Sequence, residues 1–497
     1  MSLFALPILL PAAGALVVLA LDLVSGSKPV DDDPAHRATA LSGIRFGSVA
    51  LVTLAAVIFS LRDAPPGGGE GWLEIDRFAV FGIAFLAFMG FLVLSLSLTH
   101  FGMARSRPAE PIALLLFSLS GLAAATATTH LLVLVIAFEL AWLPLVALIA
   151  IDSRRLSSSE SSLKAFFAHA FSSIVFAHGV AFLFGATGRL DLAALGILGS
   201  ERPLLFDVGI AFVIVGVMAR AVIAPFHPWS PDVHEGAPSF VTTYIATAAQ
   251  ATSFFVLLRM LHALTPVDAG ALESVATRVT DLLAVLGIVG LVWGHAMALV
   301  QVGLRRLVGW LGVGQAGFFI LALVDARGAG GEALLFALVA AGIAVAGVLA
   351  TLASLSHHER ACENVSDLSG MMQHSPIRAA FFLLFLLSLG GFPGTMGFIA
   401  RMQILSALEH AGHRWLLVAG LGATVLALTA VGRPLLAMLG SAEPDRDSSR
   451  ALSNEQLVLA LCGACVLYFG LAPLSATGNV ATWVNDWIGA ALASIRS

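Results

Sequence analysis

The stretch APFHPWSPDVHEGAPSFVTT, residues 224–243, interrupts a chain that otherwise reads as one apolar helix after another. Pro225, Pro228 and Pro231 fall within seven residues. Proline has no amide hydrogen and its ring clashes with the preceding turn, so a helix is predicted to break here. Inside a bilayer, non-helical backbone persists only where protein or enclosed water satisfies it. His227, Asp232, His234 and Glu235 share the break. A span interrupted at polar side chains points to the ion path of a transporter.

The surrounding composition fixes the solvent. Of 497 residues, 58% are hydrophobic and 11% charged, with a mean hydropathy of +0.94. A soluble domain averages about 25% charged. The reading is an all-α, polytopic integral membrane protein in contact with the lipid bilayer. The net charge of −5 gives no footing for nucleic acid. The start, MSLFALPILLPAAGALVVLALDLV, lacks the positive n-region and cleavage site of a signal peptide and reads as the first membrane helix. Cys462 and Cys465 form a CxxC inside the apolar run LVLALCGACVLYFG. With no second Cys/His cluster, small residues packing between helices explain the pair better than a metal or redox site. No iron–sulfur centre is expected, and no GxGxxG follows a strand to bind a dinucleotide.

Apolar runs long enough to span, about 20 residues each, recur at 3–23, 44–61, 78–98, 111–127, 131–151, 163–185, 206–224, 239–264, 282–302, 307–324, 334–355, 379–408, 415–439 and 457–471. That makes about fourteen transmembrane helices. The tail, 475–497, is amphipathic and is expected at the interface. Basic loops hold Lys28, Arg37 and Arg45; Arg105 and Arg107; Arg154 and Arg155; Arg305 and Arg306; Arg360 and Arg378; Arg446 and Arg450. All follow odd-numbered helices in this count. The positive-inside rule then places both termini outside the cytoplasm. A second break, SLGGFPGTMG at 388–397, lies inside the run 379–408. Inverted repeats place their broken helices in corresponding positions. Two repeats of about five helices each follow, at 111–264 and 282–439, with about three helices in 1–110 and a last helix and tail in 440–497.

Charge inside a membrane helix costs about 2.5–3.5 kcal/mol. Glu139, Lys164, Arg220 and Arg401 bear that cost within apolar runs. Glu139 reads either as a structural ion pair or as a titrating carboxylate tuned by a nearby cation. The second is preferred, because a buried pair contributes little net stability. Lys164 lies near a helix end, where snorkelling to the interface explains it equally well. His178 lies fourteen residues on, about 40° away around the helix and about 21 Å along it. His169, His178 and His295 can titrate near neutral pH. For a lone histidine on such a helix, a satisfied structural role is the default.

These residues and their surroundings resemble the N subunit of proton-translocating NADH:quinone oxidoreductase, respiratory complex I, among the antiporter-like membrane subunits. The match is carried by PFHPWSPDVHEGAPSFVT against a family pattern PFHxWTPDVYEGAP. It is supported by FELAWLPLVALIAI, by SSESSLKAFF…GATGRLDL, by LRRLVGWLGVGQAGF against KRLLAYSSIAHAGY, and by LSLGGFPGTMGF against LSLAGIPPTAGF. Together they cover about residues 110–410. The resemblance implies proton translocation coupled to electron transfer, other membrane-arm subunits as partners, and a bacterial-type inner membrane. It also implies no cofactor in this chain, with flavin, iron–sulfur clusters and quinone in partner subunits. Glu139 matches the family's glutamate on the fifth helix and Lys164 its lysine on the sixth.

Four positions depart from the pattern. The family keeps lysine where Arg220, Gln250 and Arg401 stand, and histidine where Gln315 stands. Lysine can lose a proton when desolvated, whereas arginine stays charged. Gln250 cannot titrate and can only order water. The expected site is therefore Glu139, Lys164, Arg220, Gln250 and Arg401, with His169 and His178 available to bridge the gap at Gln250. The alternatives are a scaffold that fills a place in the arm without pumping, or a subunit of a cation/proton antiporter or membrane-bound hydrogenase.

Overall fold

A computed structural model of the chain describes residues 6–24, 71–103, 109–152, 154–192, 196, 203–264, 273–356, 362–441, 453–471 and 479–496. Apart from three isolated bridges, the described residues form helices, turns and loops. Ten described helices are long and apolar enough to cross a bilayer, and Pro376–Gly390 and Glu455–Leu471 are shorter apolar helices. The run at 44–61 and the loop residues Lys28, Arg37, Arg45, Arg105, Arg107, Arg360, Arg446 and Arg450 lie outside the described residues. The amphipathic tail is helical over Asn479–Arg496.

The first break differs in detail from the proline reading. The helix Pro203–Arg220 stops before the predicted end at 224. Val222 adopts φ 62°, in the left-handed region. A β-branched residue is strained there, at a cost of about 1–3 kcal/mol. The chain thus leaves the helix ahead of Pro225, and the other two prolines serve a restart. Pro228 is the N-cap of the short helix Trp229–Gly236, and Pro231 sits in its first turn. First-turn amides have no intrahelical partner, so proline is tolerated there. The next span, Ser239–Leu264, contains a π-helical turn at Ile245–Ala249, directly before Gln250.

The second break follows the sequence closely. Pro376–Gly390 ends on Gly391 at φ 78°, and the helix restarts at Met396 after the N-cap Thr395. A left-handed glycine is the common way to close a helix C-terminus.

Two compact units are present. The first comprises Met1–Ala221, Ala248–Val279 and Trp487–Ser497; the second comprises Val222–Thr247 and Thr280–Asp486. In the first, Leu131–Ile149 turns back through Ala150–Asp152 into Leu156–Thr187. Serines hold these two helices together: Ser158 Oγ donates to the Ile149 carbonyl at 2.7 Å and Ser162 Oγ to that of Val146 at 3.1 Å. Leu156–Thr187 also packs backbone-close to Pro203–Arg220, since a Cβ on Gly216 would fall 2.6 Å from Phe176 Cβ. Small residues permit such approach where lipid gives no hydrophobic drive between helices. The opposite face exposes Leu163, Phe167, Phe171 and Ile174, as a lipid- or partner-facing surface does.

In the second unit, the break's acidic residues anchor the short helix. Arg306 reaches Asp232 at 3.1 Å and Glu235 at 2.8 Å. Arg305 donates to the Ala237 carbonyl at 3.0 Å and to Ser239 Oγ at 2.9 Å. His227 meets Trp310 edge to face at 5.2 Å. Cys462 and Cys465 are free thiols within Ser453–Leu471.

Candidate functional site

Arg220 is the last residue of its helix and is 1% exposed. A buried guanidinium needs its charge and its donors answered. Its Nη2 donates to Glu139 Oε1 at 3.2 Å and to Ser173 Oγ at 2.7 Å. Its Nη1 donates to Ser172 Oγ and to the Gly216 carbonyl at 3.3 Å. The Phe138 ring lies 4.6 Å from its Cζ. Both hydroxyls are donors in turn: Ser172 to the Gly216 carbonyl at 2.6 Å, Ser173 to Glu139. Ser173 also lies 2.9 Å from the His169 carbonyl. One hydroxyl has one proton, so Ser173 serves either the carboxylate or that carbonyl. The hydroxyl therefore has two acceptors within reach, one of them the Glu139 carboxylate.

The pair is asymmetric in exposure. Glu139 is 37% exposed while Arg220 is 1% exposed. The carboxylate thus stands at the edge of the unit and the cation inside it. His169 is buried and stacks on Trp142 with ring centroids 3.6 Å apart. Lys164 and His178 do not join this cluster. Lys164 pairs with Glu160 at 2.7 Å on an open face, and His178 is exposed with its Nδ1 on the Ile174 carbonyl.

Gln250 has a backbone task. Its Nε2 donates to the Ala221 carbonyl at 3.2 Å, just past the end of Pro203–Arg220. Carbonyls at a helix C-terminus lack intrahelical donors. Gln250→Leu removes that donor while filling the space. It is expected to lower stability by about 1 kcal/mol, read as a small fall in the thermal midpoint of the complex in detergent.

Arg401 does the same at the second break. It is 1% exposed and donates to the Gly390 carbonyl at 2.7 Å and the Leu389 carbonyl at 2.5 Å. Gln315 Oε1 accepts at 3.4 Å, and the Phe318 ring lies 4.7 Å from Cζ. Among the described residues its partners are neutral oxygens. The negative end of a helix dipole suits a cation there. Both breaks therefore close on a donor from a later helix, and neither donor titrates near neutral pH.

A further buried pair lies outside every motif singled out above. Arg259, 7% exposed, donates to Asp76 Oδ1 at 2.8 Å and lies 3.8 Å from Glu74. Asp76 also caps its helix by accepting from the Ala79 amide at 2.7 Å. The signal was present, an arginine within the apolar run QATSFFVLLRMLHAL, but its partner is 183 residues away in sequence.

An all-helical multi-pass membrane protein, with buried arginines at two interrupted helices, belongs to the class of antiporter-like membrane subunits. Residues 128–427 match the family described as NADH:quinone oxidoreductase/Mrp antiporter, TM, and the chain belongs to that family. NADH-quinone oxidoreductase subunit N of Bdellovibrio bacteriovorus is 32% identical over 71% of this chain and 73% of its own length. Subunit N 3 of Streptomyces griseus is 31% identical over 73% of this chain and 68% of its own. A chain of respiratory complex I from Thermus thermophilus superposes with a TM-score of 0.78 at 25% identity, covering 94% of this chain and 97% of that one. A chain of the Mrp complex from Dietzia shares the fold, with a TM-score of 0.79 at 18% identity, covering 100% of this chain and 98% of that one.

Proposed function

We propose that this chain is a membrane-arm subunit of a proton-translocating NADH:quinone oxidoreductase. The observation that carries the reading is the Arg220–Glu139 pair at the end of an interrupted helix, beside Ser173, whose hydroxyl faces two acceptors. Electron transfer from NADH to quinone occurs in partner subunits, which hold the flavin, iron–sulfur clusters and quinone. This chain answers with charge. When charge in the adjoining arm shifts, the Glu139–Arg220 attraction changes, and the carboxylate takes or releases a proton. Arg220 does not relay; it sets the field and repels a proton arriving from the wrong side. The proton exchanges at the exposed side of Glu139, and Arg401 plays the fixed-cation part at the second break.

Lys164, Glu160 and His178 lie on one face, which we read as covered by a neighbouring membrane-arm subunit rather than by lipid. Ionised side chains in lipid cost about 2.5–3.5 kcal/mol each. The two breaks mark two inverted repeats, 111–264 and 282–439, preceded by the helices of 1–110 and followed by 440–497. The chain sits in a bacterial-type inner membrane with both termini outside the cytoplasm.

Glu139→Gln tests this reading. It keeps an acceptor for Ser173 and Arg220 but cannot ionise. In membranes containing the assembled complex, protons pumped per NADH oxidised are expected to fall. An unchanged ratio would favour the second reading, a scaffold, which Gln250 and Arg401 support because both are helix-end donors.

A further inference from the structure

Two neighbouring serines on Leu156–Thr187 meet Arg220, and they do different work. Ser172 is buried and accepts from Nη1, while its own hydrogen goes to the Gly216 carbonyl at 2.6 Å. That bond ties one helix to the backbone of the next. Ser173 is half-buried and stands between the two charges. Arg220 Nη2 donates to its Oγ at 2.7 Å, closer than the 3.2 Å from the same nitrogen to Glu139 Oε1. Ser173 Oγ in turn bonds Oε1. The guanidinium thus reaches the carboxylate both directly and through one hydroxyl.

A serine inside a helix ordinarily bonds the carbonyl four residues back, and the His169 carbonyl lies 2.9 Å from Ser173 Oγ. Three arguments give the hydrogen to Glu139 instead. In a helix, the carbonyl of residue 169 already accepts the amide of residue 173, so it keeps a partner either way. Hydrogen bonds to ionised groups are roughly twice as strong as neutral ones. Accepting from a guanidinium also polarises the O–H and strengthens its onward bond.

Both donors fall on one carboxylate oxygen. Oε1 takes Arg220 and Ser173, which leaves Oε2 to the edge where the side chain is 37% exposed. Arg220 alone holds the group by one bond at 3.2 Å. The terminal torsion of a glutamate is broad, so a single bond leaves the carboxylate free to turn. We infer that Ser173 is a positioning residue for proton exchange at Glu139, holding Oε1 inward so that Oε2 takes and returns the proton. The inference rests on the pumping role proposed above. A carboxyl protonated on Oε2 keeps Oε1 as its carbonyl oxygen, which still accepts. The inner bonds therefore persist in both states, and the helices need not part when the proton arrives.

Two readouts on the assembled complex test this. One is protons pumped per NADH oxidised. The other is the redox-induced infrared difference spectrum, in which the Glu139 carboxyl band is the one that Glu139→Gln removes. Ser173→Ala is expected to lower the ratio and to displace that band, because Oε1 loses a donor. Ser173→Thr keeps the hydroxyl and is expected to restore both. If Ser173→Ala fails to assemble, Ser173→Cys, whose thiol is a weak donor, is read the same way. A Ser173→Ala complex with an unchanged ratio or an unmoved band, where Glu139→Gln lowers the ratio, would overturn the positioning role and leave the pumping role standing. A Glu139→Gln spectrum that loses no band would place the proton exchange elsewhere and overturn it too. If Glu139→Gln leaves the ratio unchanged, the pumping role itself fails.

Discussion

Arg220→Ala is expected to destabilise the folded subunit by about 3–5 kcal/mol, from lost charged hydrogen bonds and the cavity left by a large buried side chain. The loss has several physical sources. Ser172 and Ser173 each lose a charged donor, and hydrogen bonds to charged groups are worth about 1.5–3 kcal/mol. The contact with Phe138 disappears, leaving a cavity among Phe138, Phe176 and Gly216. Glu139 keeps only Ser173 and whatever water reaches its exposed side. The expected result is little assembled complex in the membrane and a markedly lower thermal midpoint. Arg220→Lys should restore most of the complex, since one ammonium can still reach Glu139 or the hydroxyls. It should recover less than full stability, because it lacks the planar fork that answers both at once.

Gly397→Ala is expected to be at least as damaging. Gly397 is the second residue of the helix Met396–His410, and its amide donates to Ser388 Oγ at 3.1 Å. An added Cβ would collide with the Ser388 carbonyl oxygen and sit 2.8 Å from its carbonyl carbon. Backbone atoms cannot swing away as a flexible side chain does. The two halves of the broken helix would have to separate, withdrawing the Leu389 and Gly390 carbonyls from Arg401. Overpacking alone costs about 1–3 kcal/mol, and exposing a buried guanidinium adds to it. Absence of the subunit from the membrane is the outcome to look for. Normal levels of complex with Arg401 function intact would show that the break relaxes more easily than its geometry implies.

How far the sequence carried this picture varies by residue. Both interruptions were legible, because proline and glycine act locally. Their internal design was not. Pro228 and Pro231 read as breakers yet start a helix, since first-turn amides need no partner. Glu139 and Arg220 were legible as charges in oil, and their 3.2 Å contact is the meeting that reading needed. Lys164 carries the same sequence signal but faces outward beside Glu160, because helical spacing does not say which side a neighbour covers. Gln250 looked like a missing lysine; its bond to the Ala221 carbonyl is a tertiary fact. Asp76 and Arg259 escaped notice because a pair 183 residues apart leaves no local trace. His295 was visible as an intramembrane histidine, whereas its close packing on Gly314 is a tertiary fact.

The central claim is that the Arg220–Glu139 charges act on a moving proton and do not merely hold helices. The double variant Glu139→Gln/Arg220→Gln separates the two. Neutralising both partners together leaves no uncompensated charge behind, and each glutamine retains hydrogen-bonding groups for the two serines, so the complex should assemble. With assembled complex in hand, protons pumped per NADH oxidised are measured against the unaltered protein. The account predicts a clear fall in that ratio. A ratio equal to that of the unaltered protein would contradict it.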